Sequence, residues 1–161
     1  MVGVEIDAGE HDILLFSSAG KSIRFKESDV RSVGRTAIGV RGIRLADKDR
    51  VVSLVVAESD DPILTATEKG YGKRTQLDEY RAQARGGSGV ISIKTSDRNG
   101  QVVGAIQVTN EDEMMLISDK GTLVRARAAD VSIIGRNTQG CLLYTSPSPR
   151  DAHESRMPSS A

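Results

Sequence analysis

The feature that most constrains this chain is self-similarity. Leu14 to Gly42, Leu64 to Ser92 and Met115 to Gly140 align at offsets of 50 and then 51 residues. Gly20, Gly70 and Gly121 fall in one column, and Gly39, Gly89 and Gly140 in another. Arg24, Arg74 and Arg125 form a third column, Asp29, Glu79 and Asp130 a fourth, and Arg35, Arg85 and Arg136 a fifth. Columns that preserve glycine, cation and acid in fixed order are not a composition effect, so each period is one structural unit. Upstream, Val2-Gly3 aligns with Val52-Ser53 and Val103-Gly104, so the chain is expected to begin within the last strand of an earlier unit.

Within each unit the periodicity is two, not 3.6. Asp12 to Ser18 and Ser22 to Phe25 flank Ser-Ala-Gly-Lys, and Glu-Lys-Gly70-Tyr and Asp-Lys-Gly121-Thr stand at the same place in the later units. Each reads as a β-hairpin whose loop closes through a left-handed glycine at Gly20, Gly70 or Gly121. A second hairpin is expected in the same unit, Val40 to Leu45 with Val51 to Val56, then Val90 to Lys94 with Val102 to Val108, with Asp47-Lys-Asp and Asp97-Arg-Asn-Gly as the turns. Four strands per period of about 50 residues describe a blade, because one small sheet cannot bury its apolar face without a neighbour. The fold class is all-β and propeller-like. Blades are expected over about 7–56, 57–108 and an incomplete 109–140 that lacks its final two strands.

The sequence strings FSSAGKSIRFKESDVRSVGRTAIGVRGIRL, ILTATEKGYGKRT, GVISIK, NGQVVGAIQV and GTLVRARAADVSIIGRNTQG resemble the C-terminal domain family of the DNA gyrase A subunit, which is part of a bacterial type II topoisomerase, more closely than the paralogous domain of topoisomerase IV. The resemblance covers nearly everything from residue 3 to residue 140. It implies a β-pinwheel of six four-stranded blades, about three of them present here, whose basic perimeter bends duplex DNA around itself. It also implies partners, namely double-stranded DNA and, in an A2B2 complex, the B subunit with the rest of the A subunit. The implied location is cytoplasmic and nucleoid-associated. The cofactors it implies, Mg2+ and the ATP held by the B subunit, belong to the holoenzyme and none to this fragment. The family's glutamine- and arginine-rich box of the first blade has no counterpart here, since Arg85-Gly-Gly-Ser-Gly89 sits in a later repeat and lacks flanking basic residues.

Duplex phosphates reward spaced cations through counterion release, without reading sequence. The candidates are Lys21, Arg24, Lys26, Arg31 and Arg35 in the first unit, Lys73, Arg74, Arg81 and Arg85 in the second, and Lys120, Arg125, Arg127 and Arg136 in the third. Arg24, Arg74 and Arg125 each precede Asp29, Glu79 or Asp130 by five residues, which offers a repeated internal ion pair as a structural alternative. Arg35, Arg85 and Arg136 have no acid at a matching offset and are the stronger expectation for DNA contact. Two phenylalanines, three tyrosines and no tryptophan give little for bases to stack on, which favours duplex backbone over single strands.

Other chemistries find less support. Among 161 residues, 22 basic and 22 acidic side chains cancel, a single cysteine allows no internal disulfide, and no apolar run reaches membrane-spanning length. Neither a bilayer nor a secretory route is indicated. His11 and His153 have no partner set, Asp60-Asp61 and Glu111-Asp112-Glu113 fall at turns between units, and neither a catalytic group nor a metal site is expected. A propeller-like scaffold for protein partners would show the same blades; its binding would be insensitive to salt. After Gly140 the register stops. Residues 141–161, beginning CLLYTSPSPRD, look like an adapter read-through and are set aside as a disordered, non-native tail. With apolar faces uncapped at both ends, the chain is expected to be marginally folded and association-prone.

Overall fold

A computed structural model describes residues 2–6 and 9–143. Among the described residues there are ten strands: β1 Asp12–Ser17, β2 Lys21–Lys26, β3 Val51–Ala57, β4 Ile63–Thr67, β5 Tyr71–Thr75, β6 Val90–Ile91, β7 Val102–Gln107, β8 Glu113–Ile117, β9 Leu123–Arg127 and β10 Cys141–Leu142. Three short 3-10 turns, Glu27–Asp29, Leu77–Glu79 and Ala128–Asp130, follow β2, β5 and β9. The fold is all-β, as the period-two patterning indicates.

The three hairpins form where the repeat places them. β1 pairs with β2, β4 with β5 and β8 with β9, all antiparallel. Gly20, Gly70 and Gly121 close them at φ of 87°, 80° and 83°, each amide donating back to Ser17, Thr67 or Ser118. β3 and β7 complete the inner side of the first two sheets with the same one-residue irregularity, between Phe16 and Ser17 and between Ala66 and Thr67.

The fourth strands differ from expectation. The sheet orders are β3-β1-β2-β6 and β10-β5-β4-β7. Val90 therefore pairs with Ser22 of the preceding repeat, and Cys141 with Gly72 of the preceding repeat. The second hairpin anticipated within each unit does not form. The 94–102 connection runs from the first sheet to the second, because the outer edge of the first hairpin is the open edge within reach of the next repeat's extended segment. Val40 to Leu45 is the equivalent donor segment of the first repeat and forms no strand among the described residues. Cys141–Leu142 continues the register by two residues past Gly140 in the place equivalent to Val90–Ile91, and the Leu143 amide donates to Gly70 O as the Ser92 amide does to Gly20 O. The remainder of the segment set aside as tail, 144–161, lies outside the described residues.

Alternation along the strands sends one face to the next blade. Leu14, Phe16 and Val55 meet Ile63, Leu77, Tyr80 and Ala105 in the core between the first two sheets. Leu64, Val108, Met114, Ala128 and Val131 repeat the arrangement between the second and third. On the opposite face of the first sheet, Ile23 and Phe25 pack with Ile43. The cores lie between blades, so one blade's stability depends on its neighbour.

Candidate nucleic-acid interface

The thirteen candidate cations separate into buried clamps and exposed rim. Arg24 sits diagonally across the β1–β2 ladder from Asp12, where its Nε donates to Asp12 Oδ2 at 2.7 Å. Its Nη1 reaches the next blade, donating to Leu77 O at 2.9 Å and Tyr80 O at 3.0 Å, and so satisfies carbonyls around that blade's 3-10 turn. Arg74, 5% exposed, repeats this one blade on: Nε to Val131 O at 2.8 Å, Nη1 to Asn110 Oδ1 at 2.6 Å and Nη2 to Ala129 O at 3.4 Å. Arg125 has no described blade beyond it and pairs with Glu113, the diagonal equivalent of Asp12. The column is structural, but its partners are not the acids expected from spacing. Those acids lie beyond the strand end, past the reach of a side chain directed at the following blade; Asp130 pairs instead with Arg127, at 3.2 Å.

Lys73, one of the candidates, is buried rather than on the rim. It stands in the column of Ile23 and Val124 and is fully buried. Its ammonium donates to Gly135 O at 2.6 Å, to Arg136 O and to Thr138 Oγ1 at 3.0 Å. Burial lowers its pKa from 10.5 to about 8, with Glu79 acting to raise it and Arg136 to lower it.

The column Arg35, Arg85 and Arg136, favoured for DNA because it lacks an acidic mate, is largely engaged with backbone. Arg85 donates to Asp29 O at 2.9 Å and Arg41 O at 3.2 Å, and Arg136 to Ile91 O at 2.7 Å. Arg41 and Ile91 are equivalent positions, so each of these guanidiniums fastens the extended segment of the preceding repeat. A missing acid does not leave an arginine free when a strand end offers carbonyl groups. Arg35 is exposed.

Lys21, Lys26, Arg31, Arg81 and Lys120 are likewise exposed. Two further cations, absent from the sequence-based set, complete the rim. Arg44 and Lys94 are exposed and occupy equivalent places, since the Arg44 amide donates to Gly87 O and the Lys94 amide to Thr138 O. The signal was available, because Val40 to Leu45 and Val90 to Lys94 align with a cation at the fifth position of each. Among the described residues no acidic side chain pairs with Arg31, Arg81, Arg44 or Lys94. The Arg81 to Ile91 segment runs along the outer edge of β2: Ala82 bridges Arg24, Gln83 N donates to Arg24 O, and Val90–Ile91 forms β6. Gly86 and Gly87 in turn exchange hydrogen bonds with Gly42 and Arg44, so Arg44 lies on the outermost layer.

Tyr71 and Tyr80 make contacts within the protein. Tyr80 is buried, donates to or accepts from Ser92 Oγ at 3.0 Å and meets Phe16 edge-on with centroids 5.8 Å apart; burial raises its pKa. Tyr71 takes a hydrogen bond from Arg98, whose guanidinium also lies 5.2 Å from its ring. Among the described residues no group of three His, Cys, Asp or Glu side chains could hold a metal ion, and no helix is long and apolar enough to cross a membrane.

A family model described as DNA gyrase C-terminal domain, β-propeller, matches residues 11–58, 61–109 and 112–140, one match for each repeat. The chain belongs to the gyrase A C-terminal-domain family. The DNA gyrase A subunit of Klebsiella oxytoca is 57% identical and that of Escherichia coli K12 55% identical, each over 143 residues, or 89% of this chain. The chain spans 16% of the length of each. A solved structure of the C-terminal domain of DNA topoisomerase IV superposes with a TM-score of 0.83 at 26% identity, over 95% of this chain and 46% of that one. A solved gyrase A C-terminal domain gives 0.78 at 30% identity, over 85% and 47%. Both share the backbone, while sequence identity to the gyrase A proteins identifies the branch. In this gyrase A C-terminal-domain chain, Arg24 and Arg74 each reach carbonyl groups of the following blade, while Arg31, Arg81, Arg44 and Lys94 are exposed.

Proposed function

We propose that this chain is a DNA-wrapping part of a gyrase A subunit. In the bacterial cytoplasm it works within an A2B2 complex, beside the rest of its own subunit plus the B subunit, to introduce negative supercoils at the expense of ATP. The segment contributes no reacting group of its own; ATP and Mg2+ act elsewhere in the holoenzyme. Its role is to hold duplex along the rim through distributed phosphate contacts, which repay the several kcal/mol that bending tens of base pairs costs. The observation that supports this most is the recurrence of exposed cations, Arg31 with Arg81 and Arg44 with Lys94, at equivalent places of the first two repeats, with no acidic partner among the described residues.

The test is binding of the 161-residue chain to duplex DNA of several tens of base pairs across a salt series. Arg31→Glu, Arg81→Glu, Arg44→Glu and Lys94→Glu together should flatten the slope of log K against log salt by roughly 0.9 for each phosphate no longer neutralised. Arg85→Gln with Arg136→Gln should alter the slope less. An unchanged slope in the fourfold variant, or salt-insensitive binding to protein in place of DNA, overturns the reading.

A further inference from the structure

Residues 47–50 and 97–100 are equivalent turns at the end of the sheets where the hairpin glycines Gly20 and Gly70 lie. The Arg50 amide donates to Ser18 Oγ at 3.3 Å, and the Lys69 amide to Asn99 O at 3.2 Å. Each turn presents an exposed cation at its second residue, Lys48 in the first repeat and Arg98 in the second. Lys48 holds φ of 65°, the only positive φ outside glycine among the described residues. That conformation costs a side chain roughly 1–2 kcal/mol that glycine would not lose, so the turn keeps its cation despite a cost to stability. Arg98 is anchored by Tyr71: its Nε donates to the phenol oxygen at 3.2 Å and its guanidinium lies 5.2 Å from the ring. Both Nη groups stay unbonded among the described residues, and a guanidinium already held loses less freedom on meeting a phosphate. The turn is packed on both sides, Thr95 Oγ1 donating to Ala19 O at 3.2 Å and Asn99 Nδ2 to Gln139 O at 3.0 Å, and Arg98 is exposed nonetheless. In the first turn Asp49 faces inward, its Oδ1 receiving Ser18 Oγ and the Ala19 and Arg50 amides, which leaves Asp47 against Lys48 and Arg50. At the opposite end of the sheets the charge is reversed: Glu58, Asp60, Asp78 and Glu79 are exposed there against Arg81.

We propose that the duplex is held toward the hairpin-tip end of the rim, where Lys48 and Arg98 contact phosphates in addition to Arg31, Arg81, Arg44 and Lys94. The inference rests on the DNA-wrapping reading above and adds to it the side of the rim on which the duplex sits. Along the outer segment Ala82 lies beside Arg24, and the Ser92 amide reaches Gly20 O. Arg81 and Arg98 therefore flank a stretch of backbone from Gly20 to Arg24, about 13 Å at ~3.3 Å per residue. A major groove is about 12 Å wide, so a duplex laid over that edge can offer phosphates from both lips of the groove to its two ends. The acids at the linker end repel the same phosphates, which sets the direction in which the duplex shifts.

Binding of the 161-residue chain to duplex DNA of several tens of base pairs across a salt series decides it. The variant is Lys48→Gly with Arg98→Gln, because glycine suits φ of 65° and relieves the turn as it removes the charge. The expected result is a slope of log K against log salt flatter by roughly 1.8, about 0.9 for each of two phosphates. Urea unfolding of Lys48→Gly alone keeps loss of contact apart from loss of folding: its midpoint should stand at or above the parent's. A midpoint below the parent's overturns the inference by assigning Lys48 to the fold. A slope equal to the parent's in the double variant overturns it too, and if the fourfold rim variant is flattened in the same series the wrapping reading stands without it. A parent chain that does not bind duplex overturns both.

Discussion

Lys73 makes a quantitative prediction. A lysine in an otherwise apolar column is tolerated because three oxygens from 135–138 receive its ammonium, yet burial still holds its pKa near 8 instead of 10.5. Below pH 8 both folded and unfolded chains carry the proton. Between 8 and 10.5 the unfolded chain keeps a proton that the folded chain has released, so stability rises with pH. The contribution is complete above 10.5 and is lost as pH falls through 8. At about 1.4 kcal/mol per pKa unit, the lysine is worth about 3 kcal/mol more at high pH than at pH 7. The assay is urea unfolding of the parent chain and of Lys73→Met from pH 7 to 10.5, reported as the difference between them, so that titrations common to both cancel. The difference curve should climb in favour of the parent by about 3 kcal/mol, with its steepest part above pH 8. At pH 7 Lys73→Met strands the Gly135 and Arg136 carbonyls, about 1–3 kcal/mol each, but is relieved of the buried charge, so the two terms largely cancel. A flat or falling difference curve would refute the account of Lys73 as a desolvated ammonium.

Two further outcomes follow from the contacts that join one repeat to the next. Arg74→Ala should destabilise the chain by roughly 3 kcal/mol in chemical unfolding, because it leaves Val131 O and Asn110 without their charged donor, whereas Arg125→Ala, breaking an exposed pair, should cost under about 1 kcal/mol. Equal effects would contradict the assignment of Arg74 as an interblade fastener. Gly89 has φ of 74°, and a Cβ there would overlap the Ser22 carbonyl. Gly89→Val should therefore cost at least about 2 kcal/mol and release β6 from β2, seen as faster amide exchange at Ser22 and Ser92; retained protection would count against it.

The hairpins were legible in the sequence because alternation and a turn glycine are local signals. Strand partnership was not, for a reason inherent in repeats: a period fixes the spacing of elements but not whether Val90 completes its own blade or the one before. The same limit misled the arginine assignments. A spacing of five residues suggested Arg24 with Asp29, while the partner that forms, Asp12, lies diagonally across an antiparallel ladder and twelve residues upstream, a spacing repeated by Glu113 and Arg125. For Lys73 the signal was in the column itself, since Ile23 and Val124 mark that position as inward-facing. Arg85 and Arg136 could not be read, because backbone carbonyls leave no trace in composition. The rim cations Arg44 and Lys94 could have been, by carrying the alignment of cations into the fourth-strand segment.

The exchange of outer strands has a consequence for how such a chain is made. The first sheet draws its strands from Asp12 through Ile91, and the second from Ile63 through Leu142. On a ribosome, therefore, no blade is finished when its own repeat emerges; it waits, one edge open, until most of the next repeat has been synthesised. Folding advances as a ratchet in which each new repeat locks its predecessor and exposes the next edge. The step most open to misassociation is then the last hairpin to leave the exit tunnel.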